Sequence, residues 1–313
     1  MILAGFARKS THYSVTRIGS AYLIADLDCR RFDAAVVLMR DDNPATFPKS
    51  NGRFLAYGVA GQIQSSVRTS SSDLRTGGRK MIKLYQFNPA WGCPNPSPFC
   101  MKVETYLRMA GFPYEAINGS LPFKAPKKKL PYIEDGNQVV ADSGFILQYL
   151  RKTYGDRLDQ KLSDDEKARA HALGRLFEEN FYWVVLYSRW IEKSIYLETQ
   201  REFFGQIPPI LRELVAGTVR KGIRKALYAQ GMGRHSRDEI YEIGRADLNA
   251  VSVWLDDKPF FMGAMPTSLD AIAYSFLANI LVPPLKSPLK DHAMSLPNLW
   301  VYCERMRKKY YGT

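Results

Sequence analysis

Cysteine is scarce in this chain of 313 residues. The four cysteines are scattered, and no two of them have the Cys-x-x-Cys spacing of a redox or metal-binding pair: Cys29, Cys93, Cys100 and Cys303. Such usage excludes a disulfide framework and favours a reducing compartment, so we expect a cytoplasmic protein. The histidines at 171, 235 and 292 stand apart from the cysteines, and the sequence therefore predicts no metal site.

The chain also lacks a long uninterrupted hydrophobic run. Its longest apolar stretch, near 269–285, is broken by Asp270, by Asn279 and by the pair Pro283-Pro284. That stretch is too short and too polar for a membrane span, which needs about 20 consecutive apolar residues. The sequence therefore predicts no transmembrane segment.

Acidic residues are outnumbered by basic ones, and the formal net charge is +13. The basic clusters lie at 124–129, 220–225 and 305–309. No nucleic-acid-binding module accompanies them, so we interpret them as solvated faces and predict no nucleic-acid partner.

Glutamate is absent from residues 1–80, which end in a segment rich in Ser, Thr, Gly and Arg at 64–80. Met81 stands immediately before the first clear strand pattern. We interpret 1–80 as a largely disordered leader, or as upstream sequence from a start placed too early, with the protein beginning at Met81. An organelle transit segment is the alternative, favoured by Arg and Ser but opposed by six aspartates.

The most informative pattern that is present is Ser-Pro-Phe-Cys at 97–100, which follows a strand-like run at 82–87. Ser97 is a good helix N-cap, and Pro98 suits the first helical position. A hydroxyl and the Cys100 thiol are thereby placed at the positive end of a helix. Free N–H groups and the helix dipole favour an anion there.

A second pattern begins at Leu130 and Pro131, which lead into a predicted strand at 132–134. The turn at 135–136 and a second strand at 138–140 complete a predicted hairpin. Asp142 or Ser143 then caps the next helix.

From Ser163 onward the pattern is helical. In the first predicted helix the apolar residues recur at three and four positions: Ala168, Ala172, Leu176, Phe177 and Phe181. Further helical runs lie at 210–228, 240–255, 269–281 and 299–310.

This order of elements resembles the glutathione S-transferase superfamily over residues 81–313. The Ser-Pro-Phe-Cys head is similar to the Cys-Pro-Phe-Cys of glutaredoxins and the Cys-Pro-Phe of omega-type transferases, with Ser97 at the reactive cysteine's position. The 97–105 and 130–135 segments look closest to the branch of the failed-axon-connections and metaxin proteins. The resemblance predicts an α/β plus all-α protein, with a thioredoxin-like domain at 81–155 and an all-helical C-terminal domain at 163–313. Within the latter, the segment from Gly263 to Asp270 fits the family's capping box, to which we assign a structural role.

The resemblance also implies a set of site residues. Ser97 would stabilise the thiolate of glutathione, the co-substrate, and a cis Pro131 would let Leu130 present its backbone to the cysteinyl peptide. Ser143 and the helix amides would bind the γ-glutamyl carboxylate. Asp142 would grip the amino group weakly, because most members have Glu or Gln there. The basic cluster before Pro131 would raise the positive potential around this anionic tripeptide.

One departure from the family concerns the second helix of the thioredoxin-like domain. Gly119, Pro122 and Pro126 leave little room for it. This departure puts the contacts to the glycine end of glutathione in doubt.

Two functions remain open on the sequence alone. The first is a glutathione transferase that acts on an apolar electrophile, with a homodimer as a further expectation. The second is a non-catalytic binding or assembly module of the metaxin kind. We also expect Cys93 to be exposed, which would keep redox chemistry open, and Cys100 to be more buried than Ser97.

The first long helix of the C-terminal domain offers a candidate substrate pocket. We expect one or two of its aromatic rings to line that pocket and the rest to be core: Phe177, Phe181, Tyr182, Trp183, Tyr187 and Trp190.

Overall fold

The computed structural model describes residues 13–18, 21–26 and 81–312. Strands β1 (Tyr13–Ile18) and β2 (Ala21–Asp26) pair as an antiparallel hairpin. They belong to one compact unit, Met1–Arg79, and all other described elements belong to the second, Lys80–Thr313. Apart from this hairpin, the prediction of a disordered leader falls outside the described residues.

A mixed four-stranded sheet forms the first part of the second unit. In chain order its elements are β3 (Ile82–Tyr85), α1 (Pro98–Met109), β4 (Tyr114–Ile117), β5 (Tyr132–Asp135), β6 (Gln138–Ala141) and α2 (Ser143–Tyr154). The strand order is β4-β3-β5-β6, with β3 parallel to β4 and antiparallel to β5, and β5 antiparallel to β6. This topology confirms the predicted thioredoxin-like domain and its hairpin.

The alternating burial of side chains along β3 shows which face of the sheet the helices cover. Ile82 and Leu84 are buried while Lys83 between them is exposed, as a period of two requires. The apolar residues of the two helices pack with them in one cluster, including Val103, Leu107, Ile146 and Leu150. The opposite side of α1 packs against α8, with Met101 in the core of the helical part, so α1 is buried on more than one face.

The second helix of a typical thioredoxin-like domain is reduced here. Between β4 and β5 the chain forms one 3-10 turn, Pro122–Lys124. The peptide bond between Leu130 and Pro131 is cis. Both features agree with the sequence predictions.

The remainder of the unit is helical. Its elements are α3 (Asp164–Arg175), a π-helical segment (Leu176–Phe181), α4 (Tyr182–Trp190), α5 (Lys193–Phe204), α6 (Pro209–Gln230), a 3-10 turn (Met232–Arg234), α7 (Arg237–Leu255), α8 (Ser268–Leu281), α9 (Pro288–Met294) and α10 (Pro297–Tyr311). The predicted runs at 210–228, 240–255, 269–281 and 299–310 are confirmed. Helices α5 and α9 were not predicted.

The predicted buried face of α3 is partly wrong. Ala168 and Ala172 are exposed, whereas Gly174, Phe177 and Phe181 are buried. The buried positions 174, 177 and 181 are three and four residues apart, so the buried face keeps helical spacing. The packing of α3 against α8 places that face away from Ala168 and Ala172.

Helix α8 is the centre of the helical half. Its capping carboxylate, Asp270, accepts hydrogen bonds from the N–H groups of Phe261 at 3.0 Å and Thr267 at 2.8 Å, and from the Tyr302 hydroxyl at 3.2 Å. Burial raises the pKa of this carboxyl to about 6, and the hydrogen bonds oppose that rise. The structural role predicted for Asp270 is therefore confirmed.

Two further properties concern ions and membranes. In the part of the chain that the structure describes, no helix is both long and apolar enough to cross a membrane. Among the same residues, no group of three or more His, Cys, Asp or Glu side chains could hold a metal ion.

Candidate active site

Ser97 caps α1. Its Oγ accepts from the N–H of Cys100 at 3.4 Å, and its own N–H donates to Oδ1 of Asn95 at 3.1 Å. The residue is half-buried, so the hydroxyl is not sealed off from solvent. A hydroxyl can accept and donate at the same time, so capping leaves the Ser97 proton for another partner.

The two nearby thiols are both buried. Cys100 has no exposed surface, and burial raises its pKa to about 12, although the Ser97 hydroxyl lowers it. The expectation that Cys93 is exposed is wrong: it is 2% exposed, and its thiol lies 3.6 Å from the carbonyl oxygen of Ala278 in α8. Burial raises the pKa of Cys93 to about 12 as well. Both remain thiols at neutral pH, which weakens the redox alternative.

The Leu-Pro segment lies against the first turn of α1. Leu130 is buried in one cluster with Cys100 and Ala125. Pro131 follows through the cis bond and is also buried. The structure therefore brings the Ser97 helix start and the cis-Pro segment together.

A lysine that the sequence analysis missed lies under the start of α2. Lys102 is 2% exposed, and its Nζ donates to Oγ of Ser143 at 3.1 Å. The same ammonium forms an ion pair with Glu178 of the π-helical segment. Helix α1 thus contacts the second predicted binding segment through Lys102, as it contacts the first through Cys100.

Asp142 caps α2 with a positive φ of 89°. Its Oδ1 accepts from the N–H groups of Gly144 at 2.9 Å and Phe145 at 3.2 Å. These are helix N-terminal amides of the kind that the family resemblance assigns to an incoming carboxylate. In this structure Asp142 itself satisfies them.

Three polar residues brace the loop that leads into Ser97. The Asn95 side chain donates to the carbonyl of Phe87 at 2.8 Å, and its own carbonyl accepts from the Asn279 amide at 3.2 Å. Arg189 of α4 donates to the carbonyls of Pro96 and Asn279.

Of the buried polar residues near the site, Asn279 had a signal in the sequence, because it is a polar residue inside the longest apolar stretch. Lys102 and Arg189 had none, because a single cation on a predicted helix is ordinarily solvated.

An aromatic cluster stands beside the same loop. The ring of Phe203 in α5 lies 6.2 Å from Phe87 and 5.6 Å from each of Trp91 and Trp190, between ring centroids. Of the six rings predicted as pocket or core, Phe177 and Phe181 are core, while Trp190 belongs to this cluster. Phe87, Trp91 and Phe203 were not predicted.

A cleft of about 540 Å³ lies along α2 and α3. Its lining includes Lys102, Gly144 and Glu178, together with several other charged side chains. Neither Ser97 nor Pro131 lines it. The cleft therefore includes residues at the start of α2 but not Ser97 at the start of α1.

Two family models match the chain. The Glutathione S-transferase N-terminal domain matches residues 98–195, and the Glutathione S-transferase, C-terminal domain matches residues 244–306. Among solved structures, glutathione transferase GSTFuA3 from Phanerochaete chrysosporium superposes with a TM-score of 0.52 at 17% identity, over 72% of this chain and 96% of that one. The superposition shows a shared fold.

Three named proteins are similar to this chain in sequence. Isoprene-epoxide–glutathione S-transferase of Rhodococcus sp. (strain AD45) is 38% identical over 237 residues, which are 74% of this chain and 99% of that protein. Failed axon connections of Drosophila melanogaster is 34% identical over 251 residues, 74% of this chain and 59% of that protein. Metaxin-1 of Mus musculus is 28% identical over 241 residues, 74% of this chain and 75% of that protein.

Proposed function

Because this chain belongs to the glutathione S-transferase family, we propose that it binds glutathione and transfers the glutathione thiolate to a small apolar electrophile. The observation that carries the proposal is the arrangement around α1. Its Ser97 cap, the cis Leu130–Pro131 bond packed against its first turn, and the Asp142–Ser143 helix start all lie next to one helix.

The chemistry asked of this site is to favour a thiolate, because the thiolate and not the thiol is the nucleophile. A hydrogen bond from the Ser97 hydroxyl to the sulfur contributes about 1.5–3 kcal/mol, as a charge-assisted bond. The α1 dipole adds about 0.3–1 kcal/mol. Since each pKa unit corresponds to about 1.36 kcal/mol, the two contributions lower the thiol pKa by about one to three units.

The peptide part of glutathione would lie between the two helix starts. The Leu130 backbone would pair with the cysteinyl peptide, and Ser143 would donate its hydroxyl to the γ-glutamyl carboxylate. Lys102 supports that role, because its ammonium donates to the Ser143 oxygen and so leaves the hydroxyl proton to point elsewhere. Asp142 would meet the γ-glutamyl amino group, and it would give up a capping contact to do so.

The electrophile that we propose to test first is a small apolar epoxide. The Rhodococcus relative is named for isoprene epoxide, and the rings of Phe87, Trp91 and Phe203 offer an apolar surface beside the Ser97 loop. In that reaction a C–S bond forms while a C–O bond of the ring breaks. The thiol proton leaves to solvent, and the alkoxide takes up a proton from water.

A single substitution tests the role of Ser97. We expect Ser97→Ala to leave glutathione affinity nearly unchanged but to raise the pKa of the bound thiol by about one to two units, or 1.4–2.7 kcal/mol. Conjugation at neutral pH would fall by about 10- to 100-fold and partly return at higher pH. If Ser97 only caps α1, the variant instead loses about 1 kcal/mol of stability and keeps its pH–rate profile.

The second candidate, a non-catalytic binding module, is favoured by one feature of the α2 start. There Asp142 accepts from the helix amides, so the amides assigned to the γ-glutamyl carboxylate have an internal partner. This candidate predicts no glutathione binding, which calorimetric titration decides directly.

Three expectations from the sequence stay predictions. We propose a cytoplasmic location from cysteine usage alone, a homodimer from the family resemblance, and domain boundaries at 81–155 and 163–313. Fractionation, equilibrium sedimentation and limited proteolysis would test them in that order.

A further inference from the structure

Arg189, near the end of α4, is a buried arginine bound by neutral groups. It is 7% exposed. Its Nη1 donates to the carbonyl of Pro96, and its Nη2 donates to the carbonyl and Oδ1 of Asn279 at 2.9 and 3.2 Å. Its guanidinium carbon lies 5.1 Å from the centroid of the Trp91 ring. These partners satisfy hydrogen bonds but do not neutralise a charge.

No carboxylate among residues 81–312 lies within 4.0 Å of this guanidinium. The titratable groups that face it are the Cys93 thiol and the Tyr182 phenol, and Lys290 faces the same thiol. Burial raises the pKa values of Cys93 and Tyr182, so both are neutral at pH 7, and Lys290 is a cation. Burial lowers the pKa of Arg189 to about 10, which still leaves it charged at neutral pH.

The position of this charge is set by its contact with Pro96. The Pro96 carbonyl and the Ser97 N–H belong to the same peptide group, so the guanidinium holds the peptide that presents the Ser97 cap. Charges in a poorly hydrated interior act over longer distances than charges in water. The positive field of Arg189 therefore reaches the first turn of α1.

We propose that Arg189 is a positioning residue that orients the Ser97 loop and supplies the positive potential that makes this site favour a thiolate over a thiol. The proposal deepens the proposed function, since glutathione's sulfur is the anion that this potential would stabilise. A buried cation without a counter-ion is costly, and a bound anion nearby offsets that cost.

Arg220 of α6 provides a matched control. It also donates to two carbonyl oxygens, those of Trp190 at 3.0 Å and Ile191 at 2.7 Å, and it lies 4.1 Å from the centroid of the Tyr196 ring. It makes no contact with residues 95–97. Arg220→Gln therefore removes an arginine that makes the same kinds of contact, but away from the Ser97 loop.

The test measures a thiol at position 97 and needs no glutathione. The full chain carrying Ser97→Cys, Cys100→Ala and Cys29→Ser is compared with the same protein carrying Arg189→Gln, Arg189→Lys or Arg220→Gln. Cys100 is replaced because it would otherwise form a Cys-x-x-Cys pair with the introduced thiol. The readout is the pKa of the introduced thiol, from the pH dependence of its alkylation by iodoacetamide. The remaining thiols, Cys93 and Cys303, are buried, so we expect them to react slowly.

We expect the introduced thiol to have a lowered pKa, as thiols at helix N-termini do. Arg189→Gln, which keeps a hydrogen-bond donor but removes the charge, should raise that pKa by about one unit or more. Arg189→Lys keeps the charge and should raise it by less than about half a unit, and Arg220→Gln should leave it within about 0.3 units.

The proposal is overturned if Arg189→Gln leaves the thiol pKa unchanged, or if Arg220→Gln raises it equally. Should the Gln variant fail to fold, Arg189→Lys decides alone, because a rise of about one unit with the charge retained contradicts the proposal. A separate titration of the unsubstituted chain with glutathione tests the proposed function. Absence of binding there, with the thiol pKa still dependent on Arg189, would remove the glutathione assignment and leave the electrostatic one.

Discussion

The starts of helices α1 and α2 each have a buried cation beneath them, but the two cations are partnered differently. Under α1, Arg189 contacts carbonyl oxygens, a side-chain amide and a ring. Under α2, Lys102 contacts the carboxylate of Glu178 and the Ser143 hydroxyl. The first helix start therefore keeps a positive charge that the second has neutralised.

This difference matches the two ends of the proposed ligand. The sulfur of glutathione becomes an anion when the site is active, and a net positive potential stabilises it. The γ-glutamyl end carries both an ammonium and a carboxylate, so a neutral surrounding with oriented polar groups suits it better. In this account Arg189 supplies positive charge at the start of α1, whereas Lys102 orients the Ser143 hydroxyl at the start of α2.

The largest expected effect comes from breaking the neutralised pair. Glu178→Gln leaves the Lys102 ammonium buried without an anion, and we expect a loss of about 3–5 kcal/mol in the free energy of unfolding. Urea unfolding of the full chain measures it. The control is Glu179→Gln, whose exposed pair with Arg175 is worth less than about 1 kcal/mol. A loss of similar size in both variants would contradict the difference between the two helix starts.

A second prediction separates the electrophile from glutathione. Phe203→Ala removes the ring that lies between Phe87 and Trp190, and we expect the KM of an apolar epoxide to rise by about five- to tenfold, as for a lost aromatic contact worth about 1 kcal/mol. Glutathione affinity should stay the same. The control is Leu197→Ala, an exposed residue on the same helix, α5. An unchanged KM in the Phe203 variant would remove this ring from the proposed epoxide surface.

The smallest expected effect concerns the α2 start. Asp142→Asn keeps an equally good cap and suits the positive φ, so stability should change by less than about 0.5 kcal/mol. Losing the charge near the ligand ammonium should weaken glutathione binding by about three- to fivefold, since exposed ion pairs contribute up to about 1 kcal/mol. Tighter binding by the Asn variant would show that Asp142 only competes with the ligand for the helix amides.

The sequence predicted the fold, two helix caps and one cis peptide bond, for identifiable reasons. Ser97, the cis Pro131 bond and the Asp142 cap lie in short segments whose local pattern determines their conformation. The exposure of Cys93 and the buried face around Ala168 were predicted wrongly, because each depends on packing against α8, which is distant in the chain.

The sequence could not predict the buried charges beneath the two helix starts, for the same physical reason. Lys102, Glu178 and Arg189 form contacts between residues 76 to 93 positions apart in the chain. Nothing in their own neighbourhoods distinguishes them from surface residues, and their burial emerges only when the two halves of the unit meet. A polar residue inside an apolar stretch, such as Asn279, is the kind of signal that remains readable.

The decisive experiment for glutathione binding and thiol activation is a calorimetric titration of the full chain with reduced glutathione at about pH 7.5, repeated in buffers of different ionisation enthalpy. We predict one glutathione per chain with a Kd below about 1 mM, in the usual range for enzyme substrates. We also predict release of about 0.4 to 0.9 proton per bound molecule, because a thiol with a pKa of about 8.5 that falls by one to three units ionises on binding. No binding would contradict the proposed function, and binding without proton release would contradict the activation of the thiol.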